Sequence, residues 1–176
     1  IFIVLLLIFA IDGIAQTGSK IRAKDAVKAA RGAKSEAERN AAYLQIAATS
    51  FKDADDVKDV YEELVAQDQA QRKGIPTKKQ IDALRSLSTA LSGCQAPKFH
   101  ALIRDLLERE SAEIPSNYSG PWGKTSEREA MLEELRFNRI AAVAQAAGEG
   151  KNTLALPALR KIRKKGGEAG KVAEKA

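Results

Sequence analysis

The chain is poor in the residues that most often carry chemistry or cross-links. Its 176 residues hold one cysteine (Cys94), one histidine (His100), one methionine and one tryptophan. A single cysteine excludes an intramolecular disulfide, and the lack of a Cys-x-x-Cys-His run excludes covalent haem. The same scarcity leaves no zinc ligand set, and the carboxylates read as scattered over solvent faces, so neither metal nor cofactor is expected. Proline is limited to five residues. No segment beyond Ala15 sustains the apolar/polar alternation of a half-buried strand, so a sheet has no support. Alanine is plentiful instead, with 31 residues. It loses no side-chain entropy in a helix and lets helices approach closely. Together these features predict an all-α fold.

Positive charge is the second excess, and it is uneven. The formal charge is +6, yet residues 151–176 alone carry eight basic side chains against Glu168 and Glu174. Residues 16–150 are close to neutral, so the basic character belongs to the C-terminal end.

Residues 1–15, IFIVLLLIFAIDGIA, begin with eleven apolar residues and end on small residues at Gly13 and Ala15. That is the pattern of a secretory signal peptide cleaved near Ala15, which predicts export to the periplasm or the extracellular space. A spanning helix needs about 20 apolar residues, more than this run supplies. An uncleaved segment would leave the protein membrane-anchored. No Cys follows the small residues, which argues against a lipid anchor. The chain opens on Ile1 without an initiator Met and stops at Ala176 in mid-helix, so a fragment cut at both ends is expected. The remainder is a usual size for one domain.

Residues 16–34 are polar and Lys-rich, and read as a tether or a loosely held helix. From Ser35 the helical period sharpens. Ser35 with Glu38 fits a capping box, before a stripe of Ala37, Ala41, Leu44, Ala48 and Phe51. Val57, Val60, Tyr61, Leu64 and Val65 then mark an amphipathic helix ending near Arg72, with Gly74 and Pro76 after it. Thr77 with Gln80 is a second capping box, preceding Ile81, Leu84, Leu87 and Leu91. Pro97 suits the first turn of a helix carrying Phe99, Leu102, Ile103, Leu106 and Leu107. Residues 111–125 are the longest break. Ser126 with Glu129 opens a long helix through Met131, Leu132, Leu135, Ile140, Val143 and Ala147. A last pair starts at Leu154 and turns at Gly166-Gly167.

These elements read as helix pairs near 35–72, 77–110 and 126–176. The Ala42-Tyr43-Leu44 and Ala83-Leu84-Arg85 turns lie 41 residues apart, and Ala158-Leu159-Arg160 follows 75 residues later. Periods near 40 with two helices per unit mark HEAT and armadillo arrays. Residues 154–176, LALPALRKIRKKGGEAGKVAEKA, resemble a HEAT repeat of secreted bacterial proteins. Pro157 sits inside the first helix, Leu159 and Ile162 follow, and a glycine turn precedes Val172 and Ala173. The resemblance is weaker over 77–110 and 37–66, which lack the internal proline. It implies a short α-solenoid of stacked antiparallel helix pairs, used to bind other proteins. A non-repeating helical bundle would produce the same periodicity.

Few residues suggest chemistry. Cys94 and His100 flank a turn without an orienting third group, so no nucleophile pair is expected. Gly120-Pro-Trp-Gly-Lys-Thr-Ser126 fails as a phosphate loop, because Tyr118 stands where the first glycine is required. Gly148 to Asn152 fails in the same way, with Gln145 at the glycine position. Asp53, Asp55, Asp56 and Asp59 read as solvated capping at a helix start. Asn117-Tyr118-Ser119 is a glycosylation sequon in a surface loop.

Two groups remain as candidate binding residues. Tyr118 and Trp122 are either exposed anchors for a partner or aromatics folded back onto neighbouring helices. Arg160, Lys161, Arg163, Lys164 and Lys165 could hold an anionic polymer or surface, or simply suit a helix C-terminus. No aromatic residues interleave with that run for base stacking. The expected function is an exported, non-catalytic scaffold for another protein. Anion or nucleic-acid binding through the basic helix is one alternative, and a non-catalytic part of a longer secreted enzyme is another.

Overall fold

A computed structural model of the chain describes residues 22–47, 51–74, 76–122, 124 and 126–176. The expected signal peptide and Ala48 lie outside the described residues. Among the described residues eight α-helices follow in order: α1 (Ala23–Gly32), α2 (Glu36–Ala47), α3 (Ala54–Arg72), α4 (Lys78–Ser92), α5 (His100–Glu113), α6 (Glu127–Glu149), α7 (Leu156–Lys165) and α8 (Gly167–Lys175). Short 3-10 turns, Pro97–Phe99 and Thr153–Ala155, lead into α5 and α7. There is no strand among the described residues. No helix among them is long and apolar enough to cross a membrane.

Local chemistry sets where several helices begin. At α4 the capping box is complete: the Gln80 amide donates to Thr77 Oγ1 (3.2 Å), and the Thr77 amide donates to Gln80 Oε1 (2.8 Å). Each bond satisfies a first-turn donor that has no intrahelical partner. Asp53 caps α3 by accepting from the Asp56 amide, and Ser126 caps α6 by accepting from the Glu129 amide. At Ser35 the box is displaced by one residue. Ser35 Oγ accepts from the Glu38 amide, but Glu38 reaches back to the amide of Lys34.

Packing joins α1 to α2, α3 to α4, α5 to α6 and α7 to α8. Across these pairs, α2 packs on α4, α4 on α6 and α6 on α8, while α1 meets α3 and α5 meets α7. The even-numbered helices therefore adjoin one another in sequence order. The pairs start one helix earlier than 35–72, 77–110 and 126–176 would have them. The cause is α1, which is a packed helix and no loose tether. Ala23, Ala26, Val27 and Ala30 are buried along one side of it. One continuous apolar core draws on all eight helices.

The stripe expected on α2 is wrong by a rotation about its axis. Ala37, Ala41 and Leu44 face solvent, with Leu44 55% exposed, while Ala42, Tyr43 and Ile46 are buried. Alanine fits either face, so the choice falls to Tyr43. Its ring enters the core and its hydroxyl donates to Glu63 Oε1 at 2.6 Å. Burying a side chain of that size contributes roughly 1.5–3 kcal/mol, which the exposed alanine face gives up cheaply.

Candidate functional site

The loop after α5 brings two of the expected binding elements together, although not as a shared recognition surface. Tyr118 is buried and folds back onto α6, where its hydroxyl donates to the Glu133 carbonyl at 3.1 Å. The Arg136 guanidinium lies 5.5 Å from its ring centre. Burial and the neighbouring Glu133 push the Tyr118 phenol well above its ordinary value. Tyr118 is thus a core residue of the loop, and the folded-back alternative holds for it. Three hydrogen bonds then pin the loop to the junction of α7 and α8. The Asn117 amide donates to the Lys165 carbonyl (2.7 Å), the Glu168 amide to the Tyr118 carbonyl (2.8 Å) and Lys165 Nζ to the Ile114 carbonyl (2.6 Å). Gly167 has φ +64°, and a Cβ there would overlap the Tyr118 carbonyl, so this junction requires glycine.

Trp122 is the exposed member of the aromatic pair, at 53% exposure. Its ring meets Phe137 edge-on with centroids 5.0 Å apart. The structure therefore separates Tyr118 from Trp122, one structural and one accessible.

The basic segment is also divided. Lys165 is half-buried and tied to the loop, whereas Arg160, Lys161, Arg163 and Lys164 are exposed. None of those four side chains makes an ion pair or hydrogen bond among the described residues. Helix α7 buries only Ala158, Leu159 and Ile162, so most of its circumference faces water. Lys161, Lys164 and Lys165 form one wall of a groove of about 590 Å³, with Glu108, Ser111 and Ser116 across from them.

A second set of grooves follows the even-numbered helices. Between α2 and α4 lies a groove of about 410 Å³ lined by Ala37, Ala41, Leu44, Lys79 and Asp82. Between α4 and α6 lies one of about 160 Å³, lined by Arg85, Ser88, Asn138, Ala141 and Gln145. Between α6 and α8 lies one of about 470 Å³, where Ala141 and Gln145 recur beside Gly148, Val172 and Ala176. Small side chains recur along all three. The alanines placed on the wrong face of α2 by the sequence pattern are the floor of the first groove.

Buried ion pairs are what the sequence pattern missed. Arg139 of α6 is 2% exposed, and its Nε donates to Glu110 Oε1 at 2.5 Å. Tyr61 donates its hydroxyl to the same Glu110 oxygen at 2.7 Å, and Asp68 Oδ2 lies 3.5 Å from Arg139 Nη1. Burial alone would lower the Arg139 basicity, but Glu110, Tyr61 and Asp68 together raise it. A second node centres on Glu63, which accepts from Tyr43, from Arg31 Nε (2.7 Å) and from Gln67 Nε2 (3.0 Å). A third centres on Asp56, which is fully buried, pairs with Arg22 (3.1 Å) and accepts the Lys52 amide (3.1 Å). Asp56 therefore departs from the solvated cluster expected at 53–59, and the buried carboxylates are not scattered over solvent faces. A signal for them existed. Glu110 lies seven residues after Ile103, and Arg139 seven after Leu132, on the apolar stripes of their helices.

The nodes tie α3 to α1, α2, α5 and α6; the carboxylates of Asp56, Glu63 and Glu110 are buried, whereas Arg22 and Arg31 reach solvent. Burial pushes the Cys94 thiol up to about 12, which keeps it protonated near neutral pH. His100 turns its Nε2 toward the Gln95 carbonyl at 3.3 Å. Among the described residues no three His, Cys, Asp or Glu side chains are grouped to hold a metal ion. Comparison with protein-family models, with curated proteins and with solved structures found no match to this chain.

Proposed function

We propose that this chain is an exported, non-catalytic scaffold for another protein, built as a short HEAT-like α-solenoid. The single observation that carries this reading is the succession of grooves between α2 and α4, α4 and α6, and α6 and α8. Helices stacked two apart in sequence, each backed by its pair partner, are what a solenoid requires. Such an array offers an extended face made from one helix of every pair. Here that face has small side chains at its base, one exposed leucine, and charges of both signs at its edges. A partner seated on it would bury Leu44 and the alanines and meet Lys79, Asp82 and Arg85 at the margin. Apolar contact of this kind holds in high salt, while charge attraction between exposed groups fades.

The test uses the full chain as bait against the exported fraction of the source organism, with low-salt and high-salt washes. The expected result is a protein retained through high salt by the unaltered chain and lost from Leu44→Glu and Ala141→Arg. Retention unchanged by both substitutions contradicts the placement of the partner on this face.

A further inference from the structure

Two of the four large apolar side chains left exposed among the described residues, Leu154 (48%) and Leu156 (44%), stand at the start of the helix that carries the basic run. Helical spacing puts Leu156, Pro157, Arg160, Lys161 and Lys164 on one side of α7, opposite the buried Ala158, Leu159 and Ile162. All five are exposed, as is Arg163 beside them. The geometry points to a docking site for an anionic lipid surface along α7, with Leu154 and Leu156 entering the headgroup boundary and the four free cations meeting the headgroups. This goes beyond the scaffold reading and does not rest on it, since α7 contributes to none of the three grooves between the even-numbered helices.

Charge complementarity selects the occupant. Arg160, Lys161, Arg163 and Lys164 have no counter-ion among the described residues, and Glu108 is the one carboxylate in the groove that Lys161 and Lys164 line. Four cations held at the surface without partners among the described residues attract a dense sheet of negative charge. The leucines decide between anionic partners. Two apolar side chains gain nothing from a phosphate backbone in water, and among the described residues α7 and the turn before it carry no aromatic for base stacking. At a membrane they sit at the depth where the hydrocarbon begins, next to the cations that hold them there. An apolar edge beside a basic face is the arrangement of interfacial helices, here anchored on a folded domain by the Ala158, Leu159 and Ile162 contacts.

Each basic residue held near an anionic surface contributes about fivefold to partitioning, so removing two lowers it about twenty-five-fold. The test measures sedimentation of the full chain with vesicles of phosphatidylcholine alone and of phosphatidylcholine mixed with phosphatidylserine. Residues 1–11 are apolar and supply a charge-independent background, which the neutral vesicles report. The expected result is an excess on the mixed vesicles that falls about twenty-five-fold in Arg160→Ser/Lys164→Ser. It also falls several-fold in Leu154→Ser/Leu156→Ser and is unchanged in Leu44→Glu. All four altered residues are exposed, and circular dichroism confirms that both double variants keep the helical fold. Equal binding to both vesicle types overturns the proposal. So does a short single-stranded DNA that binds as strongly as the mixed vesicles with the leucine variant unaffected, which makes the site one for nucleic acid.

Discussion

Helices α3 and α7 are both rich in charge, and they handle it in opposite ways. Along α3, Asp56, Glu63 and Asp68 turn inward and each meets an arginine, from Arg22, Arg31 or Arg139. Along α7, Arg160, Lys161, Arg163 and Lys164 turn outward and meet no partner among the described residues. The difference follows from how much of each helix is covered. α1, α4 and α6 all pack on α3, so a carboxylate on most of its faces must be paired or cost several kcal/mol. α7 buries one narrow stripe, so its cations keep their water without penalty. Charge that is caged holds helices together, whereas charge left free is available to a partner.

Breaking the cage has the largest expected effect. Glu110→Leu strands Arg139 in the core and costs about 3–5 kcal/mol in urea unfolding. Tyr61→Phe/Glu110→Leu/Arg139→Met removes the polar node as a unit, and it recovers most of that loss. A triple variant no better than the single would show that Asp68 depends on Arg139 more than on Arg72, which lies 3.2 Å away. Next in size, Tyr43→Phe removes a buried hydrogen bond to an ionised carboxylate and costs roughly 1.5–3 kcal/mol. Glu63 keeps Arg31 and Gln67, which sets the upper bound. Thr77→Ala deletes one half of the capping box of α4, outside either helix being compared, and costs about 1 kcal/mol by thermal unfolding.

The smallest effect is at the start of α3 and concerns pH. The Asp56 amide and the nearby Arg22 hold the Asp53 carboxyl below its ordinary value. Its folded pKa is lower than its unfolded one, so its contribution is present above the unfolded value. It is lost as pH falls through the folded value. Asp53→Asn should therefore flatten the acid limb of a stability-versus-pH curve below about pH 4, with little change at neutral pH. An acid limb of unaltered slope contradicts the role of Asp53 as an ionised cap.

Much of the helical framework was legible in the sequence because its signals are local. Thr77 with Gln80, Asp53 before a helix, Ser126 before another and Gly74 with Pro76 act within four residues of one another. The all-α fold follows from the same signals. What failed depends on partners far away in the chain. Tyr118 buries itself through Glu133, fifteen residues on, and the charge node links Tyr61 to Glu110 and Asp68 to Arg139. The face of α2 could not be read because alanine satisfies both sides of a helix, and Glu63 decides which side Tyr43 takes. α1 was hidden for a related reason: its buried stripe is Ala23, Ala26, Val27 and Ala30, which carries little apolar weight. Among the candidate binding residues, the exposure of Arg160, Lys161, Arg163 and Lys164 matched the helical spacing, while Lys165 and Tyr118 were claimed by the junction that Gly167 makes possible.

The most direct measurement compares urea unfolding of the full chain carrying Arg139→Met with the full chain carrying Arg160→Ser/Lys164→Ser. Caged charge predicts a loss of about 3–5 kcal/mol for the first variant. Free charge predicts a change within about 0.5 kcal/mol for the second, although it removes twice as many cations. Equal losses in the two variants would contradict the division between charge that builds the fold and charge left for a partner.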